Sequence, residues 1–587
     1  MAERTFGWVQ EAYTISNLKN VVRVFVLDST INKLLREDKI PRLISDEYHK
    51  DEMIKLLSMD KMEIPYTLLK GKGTPKGFTR TNAPCSGIIQ AVLPGQRKEY
   101  QSDWPADSFL RWAVSIGFLN YNREKDTCSI SELGNKYAVS ADGSKEEKKI
   151  LTEAFLSYPP VCRILSLLES GKSLTKFEIG CQLGFVGEAG FTSIPQNLIL
   201  QGLSAATTSD ERNKLLSDTE GTSDKYVRTI CAWLKSVRWV MQVSKEVTAD
   251  LGYMTYTDTI AQSYQITLEG KKILKYATGA SKYKRIDKRV MWDMLATKPS
   301  DRNYLRNRRT YLLKYLSTAY RSLDEFVTHL QTKGMTEDKG TISDDIQGLI
   351  NIGINVNKNG NTFKIMDSIV GLEIPDSVKS VAATKSDLSL LKDDIRKKLN
   401  HINHKYLVLI DLGFDGSADR DYELQTADLL TSELSFKGAR LGDTRKPDVC
   451  VYHDKNGLII DNKAYSKGYS LPIKQADEML RYIEENQKRD KALNPNEWWT
   501  IFDDTVSKFN FAFISGEFTG GFKDRLENIS RRSHTNGAAI NSVNLLLLAE
   551  EIKAGRLSYG DAFNKFECNG EITVSYTHLT LPTNSLV

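Results

Sequence analysis

Near its C-terminal end the chain reads Arg445-Lys446-Pro447-Asp448 and, after an apolar stretch, Asp461-Asn462-Lys463. Two carboxylates and an amine at this spacing suit phosphodiester cleavage. Hard oxygen ligands hold Mg²⁺, which neutralises charge on a phosphate and lowers the pKa of an attacking water, while an adjacent lysine positions that water. This PD…DxK arrangement is the expected core of a metal-dependent nuclease. A D/E-x-K tripeptide is common in a charged sequence, so the elements around it must supply the specificity.

Val449-Cys450-Val451-Tyr452 and Leu458-Ile459-Ile460 are β-prone runs flanking Asp454-Lys455-Asn456-Gly457, and Asn-Gly between such runs predicts a hairpin. With His453 facing Leu458, Asp448 falls opposite Lys463 and Asp461 opposite Cys450. A two-residue Asn456-Gly457 loop shifts the register but keeps its parity. Side chains alternate with period two, so in either case Asp448, Asp461 and Lys463 project from one side. Upstream, Asp421 to Leu430 has an amphipathic helical pattern, and its Glu423 is either a further carboxylate at the site or a solvated helix residue.

With 587 residues, 26% charged and 40% hydrophobic, the chain has material for several cores. No run reaches membrane-spanning length, and the N-terminus has no signal-peptide pattern. The seven cysteines are scattered singly, which argues against zinc or a disulfide framework and for a reducing cytoplasm. The net charge of +5 divides into +8 for residues 1–379 and −3 for residues 380–587. That asymmetry suits phosphate binding in the first part and a nuclease that must be delivered.

A faint repeat runs through the first part. A helical stripe, Phe109 to Leu119, ends at a glycine and is followed by a predicted hairpin through Cys128-Ser129-Ile130. The pattern returns at Tyr226 to Val243 with Tyr264-Gln265-Ile266-Thr267, and at Ile346 to Ile354 with Thr362-Phe363-Lys364-Ile365. Helices that end in a small hairpin suggest winged helix-turn-helix units reading DNA, the alternative being helix-hairpin repeats without DNA contact. A basic segment precedes the third unit: Lys282, Lys284, Arg285, Lys288, Arg289, Arg302, Arg306, Arg308 and Arg309. Such density suits phosphate contacts, although any one member could sit on a solvated helix face. Ser377 to Ala383 reads as a linker.

Several segments together resemble the FokI type of type IIS restriction endonuclease, over essentially the whole chain: Arg4 to Gln10, Ala83-Pro84-Cys85, Leu174 to Phe191, Glu220 to Tyr226, Lys288-Arg289-Val290, Met294 to Thr297, Arg445 to Asp448 and Asn494 to Trp499. The resemblance implies a mainly α recognition region of three winged-helix-like subdomains and an α/β (α+β) PD-(D/E)xK restriction-endonuclease-like C-terminal domain. The implied boundaries are 1–142, 143–283 and 284–372 for recognition, 373–384 for the linker and 385–574 for the nuclease. Residues 575–587 read as a non-native tail.

By the same resemblance Asp448 and Asp461 hold Mg²⁺ together with the backbone carbonyl of Asn462, Glu423 contributes indirectly, and Lys463 is the catalytic amine. Arg80, Trp104, Glu220, Lys225 and Arg228 match base-contacting positions, for which Arg and Lys donate to guanine and Glu accepts from cytosine. A GGATG-like site is implied, cut in both strands at a fixed distance to one side, with 5′-phosphate and 3′-hydroxyl products. A host methyltransferase protecting that site follows.

Asp477 and Arg481 match the family's dimerisation helix; spaced i,i+4, they either pair within the helix or exchange partners across a two-fold axis. Three departures touch specificity and rate: Glu11 stands where the family has Asn, Asp443-Thr444 replaces Gly-Ser, and Val449 follows Asp448 where the family has Gly, giving a bulkier, more acidic lip. The competing reading is a winged-helix DNA-binding regulator with a non-cutting nuclease-like domain, against which the intact Asp448, Asp461 and Lys463 set stands.

Overall fold

The computed structural model describes residues 4–206, 208–250, 255–278, 285–298, 301–379, 385–442 and 445–574. Lys282, Lys284, Asp443, Thr444, most of the 377–383 linker stretch and the tail from residue 575 lie outside the described residues. The chain forms two compact units. One comprises Met1–Phe185, Thr222–Lys245 and Ile260–Thr384, the other Val186–Gly221, Glu246–Thr259 and Lys385–Val587.

The faint repeat is physical. Helix Asp103–Ser115 leads into the hairpin Leu119–Asn122 and Thr127–Ile130, helix Thr222–Ser236 into Val240–Asp250 and Thr255–Ile266, and helix Lys339–Asn351 into Val356–Asn359 and Thr362–Ile365. A short strand that precedes a helix completes each sheet: Ile64–Pro65, Leu174–Thr175 and Arg321–Ser322. The helix-to-hairpin junction is the same turn each time. Phe118 N–H donates to Ala113 O and Gly117 N–H to Val114 O; Trp239 donates to Leu234 O and Arg238 to Lys235 O; Ile354 donates to Leu349 O and Gly353 to Ile350 O. This paired bonding closes a helix through one left-handed residue, at φ 83° for Gly117, 63° for Arg238 and 102° for Gly353. Arginine takes the glycine position in the second unit, which is why the repeat is faint in sequence.

Four members of the basic segment are buried and do not face phosphates. Arg306, Arg308 and Arg309 are each 3% exposed and Lys288 is 1% exposed. Arg308 donates to both Asp345 oxygens at 2.7 and 3.0 Å and to Glu337 at 3.1 Å, and Arg309 Nε donates to Asp345 at 2.7 Å. Arg306 Nε bonds Ala296 O at 2.8 Å with its guanidinium over the Trp292 ring, and Lys288 Nζ donates to Leu156 O at 2.6 Å. Partners for the three arginines come from as far as 37 positions along the chain, so their pairing, which burial of a charge requires, leaves no local signal.

In the second unit, helix α1 (Gln196–Ala205) buries Leu198, Ile199, Leu200 and Leu203. Helix α2 (Asp419–Asp428) precedes a mixed sheet of β1 (Lys437–Arg440), β2 (Val449–His453), β3 (Asn456–Lys463), β4 (Lys508–Ser515) and β5 (Gly537–Asn541), in that spatial order. The pairs β1/β2 and β2/β3 are antiparallel, while β3/β4 and β4/β5 are parallel. Helices α3 (Ile473–Lys488) and α4 (Phe522–Ser533) contribute Met479, Ile483, Leu526 and Ile529 to a core shared with Cys450, Ile459, Phe511 and Phe513 on one sheet face. The edge strand β1 is covered: Gln201 Nε2 of α1 donates to Gly438 O at 2.6 Å, and Asn197 Nδ2 donates to Ser432 Oγ at 2.6 Å.

Candidate active site

The β2/β3 hairpin closes at Asp454-Lys455, with His453 paired to Asn456 and Val449 to Ile460. The register expected from Asn456-Gly457 as the turn is therefore displaced. Asn456 and Gly457 are strand residues, because β4 lies against them: a Cβ on Gly457 would stand 2.8 Å from the Phe509 ring. Asp454, at φ 51°, takes the left-handed position instead. The parity of the pairing is unchanged, so Asp448 stands beside Asp461, and Lys463 follows on the same face.

Lys463 Nζ lies 2.6 Å from Asp461 Oδ1 and 3.9 Å from Asp448 Oδ2. Asp448 Oδ2 accepts from the Asn462 backbone N–H at 2.7 Å, while the Asn462 side chain donates to Thr426 Oγ1 of α2 at 2.9 Å. Burial, then the neighbouring Asp461 charge, pushes the Asp448 carboxyl well above its ordinary range. Burial works against the Lys463 charge, but Asp461 and Asp448 outweigh it and hold the ammonium protonated. One atom of this group, Asp461 Oδ2, is buried without a hydrogen-bond partner.

Glu423 projects from α2, and burial together with the Asp448 charge raises its pKa to about 7. Arg440 at the end of β1 opposes that shift, with Nη2 2.8 Å from Glu423 Oε2. Glu423 is thus largely shielded from solvent and coupled to Asp448; among the described residues no three His, Cys, Asp or Glu side chains are grouped to hold one ion. Arg440, Thr426 and Asp419, whose pKa burial raises against the pull of Lys463, escaped the sequence reading. Their parity and helical phase carry no mark of what they face.

Val449 does not form a lip. Its side chain is fully buried on the sheet face opposite Asp448. On α3, Asp477 and Arg481 do not pair with each other. Asp477 is 3.3 Å from Arg532 of α4, and Arg481 is 3.3 Å from Glu478 and 3.7 Å from Glu485.

Among the base-reading candidates, Arg80 lies on an exposed loop, and Trp104, 41% exposed, stands in the first turn of helix Asp103–Ser115. Lys225 and Arg228 are half-buried in the first two turns of helix Thr222–Ser236, whereas Glu220 is 8% exposed. Glu11 adopts φ 62°, a conformation that Asn tolerates better than Glu, and its N–H donates to Thr229 Oγ1 at 3.2 Å.

A lysine with two carboxylates at the end of a mixed five-stranded sheet, in a chain with three helix-hairpin units, suits a nuclease with a separate recognition part. Comparison with known proteins agrees. The FokI cleavage domain matches residues 385–573, FokI recognition subdomain 1 residues 4–140, subdomain 2 residues 147–282, and the FokI D3 domain residues 295–361. The chain is 40% identical over 577 residues to the type II restriction enzyme FokI of Planomicrobium okeanokoites, covering 97% of this chain and 99% of that protein. It is 31% identical over 572 residues to the type II restriction enzyme StsI of Streptococcus sanguinis, covering 94% and 93%. Solved structures of FokI and of FokI bound to DNA superpose with TM-scores of 0.90 and 0.92 at 39% identity, each covering 97% of this chain and 100% of that chain. The chain belongs to the FokI family and is a type II restriction endonuclease.

Proposed function

We propose that the chain binds an asymmetric, GGATG-like site in double-stranded DNA and hydrolyses both strands at a fixed distance outside it, leaving 5′-phosphate and 3′-hydroxyl ends. The observation that carries this reading is the convergence of Asp448, Asp461 and Lys463 at 2.6 and 3.9 Å on one sheet face. The donor set fits a hard divalent cation. Asp461 Oδ2 is a buried acceptor with no donor, and two adjacent buried carboxylates need a positive charge between them. Asp448, Asp461 and the Asn462 carbonyl would hold Mg²⁺, which when bound neutralises charge on the scissile phosphate and lowers the pKa of water. Lys463, held protonated by both carboxylates, orients the attacking water and offsets charge gathering on the phosphate. Glu423 acts indirectly, through its charge beside Asp448 and its bond to Arg440.

Arg80, Trp104, Lys225 and Arg228, exposed or half-buried, contact bases in this reading, and Glu220 reaches cytosine only by leaving its buried position. The linker at 373–384 divides recognition subdomains 1–142, 143–283 and 284–372 from the nuclease at 385–574. Two nuclease domains pair on DNA through Asp477 and Arg481, since one site cuts one strand. A cognate methyltransferase protects the host, and the enzyme acts in a prokaryotic cytoplasm. Run-off sequencing of a randomised plasmid library digested with Mg²⁺ tests the reading. Cuts at one offset beside one asymmetric sequence are expected, and Asp461→Ala should bind that sequence in gel shifts without cutting it. Wild-type-like cleavage by Asp461→Ala would overturn the site.

A further inference from the structure

The charged cluster has an unused neighbour. Tyr469 is 1% exposed, and its hydroxyl is buried with no hydrogen-bond partner. A phenol is normally enclosed only with a partner for its O–H, so an orphan of this kind calls for a ligand.

Its place in the fold says which ligand. Asp461 and Phe513 are register partners across β3 and β4 and share a face. The Tyr469 ring centroid is 6.1 Å from that of Phe513, 6.0 Å from Phe518, and 5.4 Å from Tyr465, which stacks on it. The backbone is pinned on both sides, with Tyr469 N–H donating to Glu517 O and Thr519 N–H donating to Tyr469 O, both at 2.9 Å. The backbone beside the ring is therefore held, and the buried hydroxyl meets a phosphate only where side chains over it give way. Ser515, the partner of Lys463 on the same face, also has a buried hydroxyl without a partner. Asp461 Oδ2 and Ser515 Oγ, near the ends of β3 and β4, are thus both unpaired as well.

We propose that Tyr469 is a further catalytic residue, whose hydroxyl donates a hydrogen bond to a non-bridging oxygen of the scissile phosphate. This rests on the assignment of Asp448, Asp461 and Lys463 to phosphodiester cleavage. Burial, then the charges of Asp461, Tyr465, Glu478 and Asp448, push the phenol far above its ordinary pKa, so it stays a neutral donor across the working range. A neutral donor suits this location. It adds a hydrogen bond to the phosphate without another cation competing for the carboxylates.

Single-turnover cleavage by the full-length chain with Mg²⁺ tests this with Tyr469→Phe, which keeps the ring and its packing. The expected result is a chemical rate lower by about 10- to 100-fold with unchanged gel-shift affinity and unchanged melting temperature. DNA carrying a stereodefined phosphorothioate at the scissile bond supplies a readout that packing alone would not move. Sulfur at the contacted oxygen should slow the wild type more than it slows Tyr469→Phe, because the variant has already lost that contact. A wild-type rate for Tyr469→Phe would overturn the proposal and leave a buried water as the hydroxyl's partner. Equal sulfur effects in both proteins would overturn it too. An inactive Asp461→Ala beside a fully active Tyr469→Phe sinks only this inference, whereas an active Asp461→Ala sinks the site assignment beneath it.

Discussion

Glu423 shows what burial beside another carboxylate does to a single side chain. Its pKa rises from the ordinary 4.5 to about 7 on folding, so the folded chain holds that proton more tightly than the unfolded one. The stability associated with it is full below pH 4.5 and is lost as pH rises through 7. Glu423→Gln keeps an acceptor for Arg440 and removes the titration. In metal-free buffer the variant should match the wild type at pH 4 and exceed it at pH 8 by on the order of 3 kcal/mol. Thermal melts across that range check this; parallel curves for the two proteins would mean that Glu423 is ionised without cost. The residues of the site divide by how they are specified. Asp448, Asp461 and Lys463 were legible because their common side depends only on parity, which survived the displaced turn at Asp454. Arg440 and Tyr469 were not, since their proximity to the site arises from strand order and from a loop pinned against residues 517–519.

At the scale of elements, the helix-to-hairpin junction is the recurring piece of the recognition part. Two of its three copies use glycine at the left-handed position and one uses Arg238. A side chain there is strained by about 1–2 kcal/mol, and glycine returns part of the gain through its freer unfolded chain. Arg238 is exposed, so Arg238→Gly should stabilise the protein by roughly 0.5–1 kcal/mol. Denaturant titration measures it, and a loss of stability would mean that the Arg238 side chain does more than occupy the turn. The helix-hairpin order was readable from the glycine-ended stripes. Burial of Arg306, Arg308 and Arg309 was not, because density of positive charge reads the same whether it faces water or Asp345, Glu337 and Asp293.

Assembly concerns the whole molecule. Asp477 is held by the half-exposed Arg532, and Arg481 by the half-exposed Glu478 and, at 3.7 Å, by the buried Glu485; the two exposed pairs contribute about 0–1 kcal/mol each. On the proposed pairing of two nuclease domains, Asp477 and Arg481 exchange these partners for each other's counterparts. Asp477→Arg and Arg481→Asp should each cut poorly, since each sets like charges together at a two-fold interface, and a mixture of the two should recover double-strand cleavage. Wild-type rates should rise more than linearly with enzyme at limiting DNA. Full activity of both single variants, with first-order dependence, would establish a cutter that works alone.

The cover over β1 also dictates an order of events at the ribosome. Helix α1 and strand β1 belong to one compact unit, yet the strand is made long after the helix. At about 5–20 residues per second, the interval is on the order of tens of seconds. Throughout it the α1 face that meets β1, with Gln201, lacks that partner. Pulsed proteolysis of stalled nascent chains should find the 196–205 segment cleavable until residues beyond 440 have emerged, and protected afterwards. The DNA-cutting half is thus completed by a segment that the cell synthesises first and must keep in waiting.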